Sequence, residues 1–303
     1  MKLRGRSDDG PVTAHSKDNT FCAVDVHPAE LFHEPIVDDE RISYTGIFVP
    51  QPEFFLDFVQ WKETENLEHR MQLLRKIQSL VDQENHCAVL CVSVGTPRGE
   101  GWTTGRRLLE DAINRNASIE ALAGNKSGRY RFDGREFKEA HAVSMALYAG
   151  ALATLVLIFS RQITKAESLA SLRSPSLQFL LDTVSGDPAT GHGTRWNLDL
   201  ILYFIENTPF GEILTRGLQK SCFDRYGIEI AVNNEIEGVV TEGNSMPLMV
   251  AVDWFAKICN RYQELQDHEG DMDEDDAVIL KIAKTLIAKK CLLIQSFPGT
   301  ADT

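Results

Sequence analysis

Hydrophobic spacing along the chain separates helical stretches from short apolar runs. Leu67, Met71, Leu74, Ile77 and Val81 recur at three- and four-residue intervals, which marks one face of an amphipathic helix. An aromatic cluster at Phe54, Phe55, Phe58 and Trp61 precedes it. Ala251, Trp254, Phe255, Ile258, Tyr262 and Leu265 predict a helix over 247–266, and Ile279, Ile282, Leu286 and Leu293 another over 274–295. Leu177, Leu180, Leu181 and Val184 follow Ser174-Pro175 and predict a helix with proline in its first turn. Thr103 or Thr104 is a candidate cap for a helix ending near Asn114, and further helices are expected at 197–206 and 209–225.

The strongest apolar stretch runs from Ala140 to Ser160, inside a helix expected over 135–169, where His141 and Tyr148 are the only ionisable residues. It is long enough to cross a bilayer. Its small residues at 142, 146, 149, 150 and 153 suit close helix packing, and no aromatic belt or second span accompanies it. The expectation is therefore a core helix. Phe21–Val24, Ile42–Val49, Cys87–Val94 and Ile228–Val232 read as short strands. Glycines at 95, 99, 101 and 105 predict a loop over Gly95–Gly105, and a second glycine-bearing loop is expected over Gly124–Gly134.

The pattern adds up to a mainly α fold, a two-lobed helical domain around a central apolar helix with a few short strands. Residues 1–19 are expected to be a flexible arm, 20–170 an N-terminal lobe, 171–296 a C-terminal lobe and 297–303 a tail. No internal repeat is visible.

Composition is that of a globular protein, 303 residues with 43% hydrophobic and 25% charged positions, so a sizeable core needs no metal or disulfide staple. The basic start lacks an apolar segment behind it and is not a secretory signal. Six cysteines sit mostly in apolar runs, which predicts buried free thiols and a cytoplasmic location.

Charge sharpens the picture. The net charge is −13, yet residues 98–138 carry nine basic residues against six acidic ones. Arginines alternate with aromatics between Lys126 and Lys138. Guanidinium groups fork onto phosphates, and aromatic rings stack on unpaired bases. Arg106, Arg107, Lys126, Arg129, Tyr130, Arg131, Phe132, Arg135 and Lys138 are therefore the candidate nucleic-acid or phosphate ligands.

Other motifs fall short of a reaction. Gly99-Glu100-Gly101 opens a phosphate-loop pattern, but Thr104 stands where its third glycine belongs, and no Gly-Lys-Ser/Thr follows. His27 and His33 with Glu30 and Glu34 lack metalloprotease spacing, and Cys87 and Cys91 lack zinc spacing. The acidic run Asp267–Asp276 fails the calcium-loop pattern and suits the start of the next helix. No metal, cofactor or catalytic residue is assigned; His86, His141 and His192 are the titratable candidates if the chain is an enzyme.

The expected function is a self-assembling or scaffold protein that binds single-stranded nucleic acid or phosphate in a basic-aromatic groove, nucleocapsid-like by analogy of design only. The alternatives are an enzyme acting on a phosphorylated or anionic small molecule and a protein-interaction module. Self-association is expected, and a membrane partner is not.

Overall fold

The computed structural model describes residues 19–27, 41–49, 67–82, 89–114, 139–165, 169, 172, 176–181, 224, 229–233, 247–266 and 272–296. Among them, β1 (Asn19–His27), β2 (Arg41–Val49), β3 (Leu90–Pro97), β4 (Ser176–Leu181), β5 (Glu229–Asn233) and β6 (Leu292–Ser296) form one sheet in the order β5-β4-β1-β2-β3-β6. β2 runs antiparallel to β1 and β3, while β4 pairs in parallel with β1, β5 with β4, and β6 with β3. Five helices accompany the sheet: α1 (Leu67–Asp82), α2 (Arg98–Asn114), α3 (Glu139–Lys165), α4 (Pro247–Gln266) and α5 (Glu274–Ala288).

This overturns the expectation of a mainly α, two-lobed helical domain around an apolar helix. A mixed sheet is the centre, and it draws β1 to β3 from before residue 170 and β4 to β6 from after it. Parallel pairs join through long crossovers. Val24 meets Leu181 and Cys91 meets Leu292, so neither pairing leaves a local signature in the sequence.

β2 is buried from Ile42 to Val49, which requires cover on both faces. Alternation decides what goes where. Tyr44 meets Tyr148 of α3 edge-on at 5.5 Å between ring centroids, and Phe48 stacks on Phe159 at 4.4 Å. Gly46, between them on the same face, leaves room for Leu155, whose methyl group would stand 3.2 Å from an added Cβ. Tyr148, Leu155 and Phe159 thus form the sheet-facing stripe of α3. The opposite face of β2 meets α4, where Ser43 Oγ donates to Asn260 Oδ1 at 2.9 Å.

α3 is apolar on more than one side because α2 covers another. A Cβ at Gly105 would lie 2.7 Å from the carbonyl oxygen of Val143, and one at Gly101 would lie 2.8 Å from a methyl of Thr96. Gly105 thus lets α2 approach α3 closely, and Gly101, four residues earlier, lets α2 lie against Thr96 of β3. β3 passes into α2 without an intervening residue, so Gly99, Gly101 and Gly105 are helical, and the loop expected over Gly95–Gly105 is absent. Ala146–Ile163 is the one helical window among the described residues long and apolar enough to cross a membrane, and 71% of it is buried in the fold.

Two other expectations change. Ser176–Leu181 is a strand instead of a proline-started helix. The last helix stops at Ala288 and gives way to β6, so Leu293 belongs to an edge strand. Lys290, with φ at 59°, sits in the left-handed region and turns the chain between them. At the other end of α5, Asp273 caps the helix by accepting from the backbone N–H of Asp276 at 2.7 Å. Arg261 of α4 holds α5 through two 2.8 Å hydrogen bonds to the Asp276 carboxylate. Arg70 and Arg75 of α1 pair with Asp275 and Glu274. The helices expected at 197–206 and 209–225, the aromatic cluster near 54–61 and both chain ends fall largely or wholly outside the described residues.

Close packing at Gly105 involves a backbone carbonyl, whereas at Gly101 it involves a side-chain methyl of Thr96. Gly105→Ala should therefore destabilise the fold by ~2 kcal/mol and Gly101→Ala by less, read from urea unfolding midpoints. Tyr44 supplies a second expectation. Its hydroxyl is enclosed without a partner, and burial pushes its ionisation well above the ordinary 10.0. A raised acid favours folding fully below its unfolded value, and that advantage disappears as pH rises through and beyond it. Tyr44→Phe should leave stability near pH 7 unchanged or slightly improved, and should make the alkaline loss shallower. Urea titrations at neutral and strongly alkaline pH measure both effects.

Candidate functional site

The chain lays down β1, β2 and β3 outward in one direction, then returns to place β4 and β5 on the other side of β1. In open sheets of this kind, ligands bind outside the carboxyl ends of the strands where the direction of travel reverses. Here that place is the shared carboxyl end of β1 and β4. The carboxyl ends of β3, β5 and β6 lie along the same edge, because those strands run parallel to β1 in the sheet.

The side chains at this edge follow from register. Asp25 pairs with Thr45, which pairs with Ser93, and His27 pairs with Ser43, which pairs with Gly95. Cross-strand partners share a face, so these two rungs look toward α4, the side on which Ser43 meets Asn260. Thr45 and Ser93 are fully buried and hydrogen-bond to each other at 3.1 Å between hydroxyl oxygens. Asp25 is half-buried and His27 exposed, so the polar rungs open toward solvent at β1.

α4 brings further polar groups to the same edge. Asp253 and Asn260 are seven residues apart and lie within about 20° of one helical face. Asn260 reaches Ser43, and Asp253 lies two turns earlier on α4. Its carboxylate accepts from Lys257 Nζ at 2.7 Å, and 37% of the side chain is exposed. Lys257 also lies over the Trp254 ring at 5.1 Å from its centroid. Arg41, at the start of β2, lies along the sheet with its guanidinium against Gly95. Burial lowers its affinity for the proton, and the neighbouring Cys259 partly opposes this.

Toward the other end of β3, Cys91 and Cys259 approach with sulfurs 3.6 Å apart. The hydrogen bond shared with Cys259 and then burial raise the Cys91 thiol well above its ordinary value, and burial alone raises Cys22. Cys22, Cys91 and Cys259 are the buried free thiols that the sequence leads one to expect. Cys291 departs from that expectation, being disulfide-bonded to a partner outside the described residues.

Of the predicted ligand set, Arg106 and Arg107 are exposed on α2, in the layer opposite Asp25 and α4. Arg98, counted in the same basic window, is only 4% exposed and belongs to the interior. Lys126, Arg129, Tyr130, Arg131, Phe132, Arg135 and Lys138 lie outside the described residues, as do His86 and His192, while His141 falls in the first turn of α3. Asp25, Arg41, Asp253 and Asn260 were not singled out by sequence reasoning. Their shared signal is a polar residue in or beside an apolar run, as in Phe21-Cys22-Ala23-Val24-Asp25-Val26. Among the described residues, no three His, Cys, Asp or Glu side chains gather in a group able to hold a metal ion.

No family model and no curated protein matches the chain. A chain of the solved "Structure of the PCNA:RNase HII complex from Archaeoglobus fulgidus" aligns over 90% of this chain and 93% of that one, with 10% identity and a TM-score of 0.31. A likeness of that degree identifies no family and carries no argument about function.

Thiols buried out of reach of solvent react slowly, because reagent cannot approach the sulfur. Cys22, Cys91 and Cys259 should therefore resist iodoacetamide in the native protein and label fully in guanidinium. Peptide mass mapping before and after denaturation checks this, and rapid native labelling of any of the three contradicts the packing described.

Proposed function

We propose that the carboxyl edge of β1 and β4 is an active edge, and that the protein cleaves a phosphodiester of a nucleic-acid strand with the help of a divalent cation. The observation that carries this reading is the position of Asp25. It is a half-buried carboxylate on the central strand, on the face covered by α4, at the point where the chain reverses its path across the sheet.

Two further carboxylates support the reading. β4 ends at Leu181, the partner of Val24, and the next residue in sequence is Asp182, outside the described residues. Asp253 lies on α4, seven residues before Asn260. Carboxylate oxygens are the natural ligands of magnesium and manganese. Such a cation supplies an activated water and neutralises charge on the reacting phosphate. Asp25 would hold it from the central strand. The preference for nucleic acid over a small phosphate ester rests on the alternating arginines and aromatics of 126–138.

The test is direct. Purified protein is incubated with end-labelled single-stranded RNA, single-stranded DNA and an RNA–DNA duplex, with magnesium, manganese or EDTA. Cleavage should require the cation, and Asp25→Asn should lower it by at least ~100-fold, equivalent to about 2.7 kcal/mol of transition-state stabilisation. Manganese should also raise the melting temperature of the wild type and not that of Asp25→Asn. Absence of cleavage on every substrate with either cation overturns the enzymatic reading. Cation-independent binding without cleavage would then favour the scaffold expected from the basic-aromatic stretch.

A further inference from the structure

The geometry points to a second anion subsite on the α4 face of the sheet, where Arg41 and Asn260 take a phosphate group of the ligand at a position separate from Asp25. The proposal deepens the phosphodiester reading of the same edge and rests on it for the identity of the ligand.

Arg41 opens β2 and is exposed, yet its guanidinium lies on the sheet. Its strand partner is Pro97, yet its guanidinium folds back over Gly95, two residues further into β3. An added Cβ on Gly95 would lie 2.5 Å from Nε, 2.7 Å from a terminal nitrogen and 3.0 Å from Cζ. Glycine at 95 is therefore what allows the planar group to lie on the sheet. No hydrogen bond or ion pair holds Arg41 there among the described residues. The guanidinium is therefore exposed and open to an anion from solvent, although the chain carries a net charge of −13.

The neighbouring donor is also unmatched. Asn260 uses its Oδ1 to accept from Ser43, whose partner in β3 is Gly95, and its Nδ2 is enclosed without an acceptor. The guanidinium over Gly95 and the carboxamide over Ser43 thus occupy adjacent positions of one rung, roughly 5 Å apart by strand spacing. One turn further along α4, the Gln263 amide is likewise enclosed with neither atom bonded. Enclosed donors without acceptors are rare in native folds and call for a missing partner. A phosphate oxygen supplies that partner, accepting from the Arg41 fork and from Asn260 Nδ2.

The subsite is distinct from the cleavage position. Asp25 and Gly95 differ by one rung and two strands, so their backbones are on the order of 12 Å apart. Different phosphates of one chain would occupy the two positions.

The experiment separates this subsite from the cleavage reading by measuring equilibrium binding in EDTA, where no cation-dependent step occurs. A fluorescein-labelled single-stranded decanucleotide is titrated by anisotropy at several salt concentrations, with pyrophosphate as a competing probe. Arg41→Gln should weaken decanucleotide binding five- to twentyfold and reduce the slope of log affinity against log salt by about one counterion. Gly95→Ala, whose methyl displaces the guanidinium, should weaken it comparably. Arg41→Lys should recover only part of the affinity, because an ammonium lacks the fork. Arg75→Gln, a surface cation on α1, should stay within twofold of wild type. Melting temperatures confirm folding of each variant.

Wild-type affinity in Arg41→Gln overturns the subsite, as does a wild-type protein that binds neither decanucleotide nor pyrophosphate. If Asp25-dependent cleavage is found while Arg41→Gln binds normally, only the subsite fails. If Arg41 governs binding and no cleavage is found, only the catalytic reading fails.

Discussion

Everything in the architecture depends on covering both faces of β2 at once. A strand buried along nearly its whole length has no solvent side, so strict alternation must send one set of side chains to each helix layer. Tyr44, Gly46 and Phe48 make a large-small-large pattern that fits Tyr148, Leu155 and Phe159 of α3. Ser43, Thr45 and Ile47 face α4. A slip of one residue in either pairing would drive Phe48 toward α4 and leave the hydroxyls against an aromatic layer. The same constraint explains the glycines of α2, since α3 can face the sheet with an aromatic stripe only if another helix closes over its flank.

That constraint gives the polar rungs their meaning. Burying a hydroxyl contributes little when it is hydrogen-bonded, and an apolar residue of similar size would pack at no such risk. Thr45 and Ser93 satisfy each other, yet the rung continues to Asp25, a charge that costs far more to enclose. A second rung pairs His27, Ser43 and Gly95 beneath Arg41 and Asn260. Polar residues concentrated on one face, at the end of the sheet where five strands terminate, are costly for folding alone. Polar content on the α3 face is lower at the same level, where Tyr44 and Ile42 fill the space.

The sequence was most legible where structure is local. The helices over 67–82 and 247–266 follow directly from apolar spacing, and β2 from an apolar, β-branched run. It was least legible where a short run satisfies two periods. Leu177, Leu180 and Leu181 fit a helical face, but Ser176–Leu181 becomes a strand because β1 offers it a parallel partner more than 150 residues away in sequence. Leu292-Leu293-Ile294 likewise extends a helical pattern until Lys290 turns the chain toward β3. Glycine was misread for a related reason. At 101 it records the end of β3 and at 105 a neighbouring helix, which no local rule can distinguish from a loop.

The candidate site was hidden by the weight that sequence reading gives to clusters. Arginines grouped between 98 and 138 draw attention because charge density is visible along a chain. Even there, proximity in sequence misleads, since Arg98 is buried while Arg106 and Arg107 are exposed on the layer opposite Asp25. A site assembled by a sheet takes one residue from each strand. Asp25, Arg41, Gly95 and Asn260 come from four elements and are each isolated in sequence. In an acidic protein, an anion is best accommodated where a cation is held close to the fold and away from its carboxylates. Arg41 meets that condition because Gly95 gives it a surface to lie on, beside the Ser43 that Asn260 bonds, a requirement of geometry that overall charge neither reveals nor opposes.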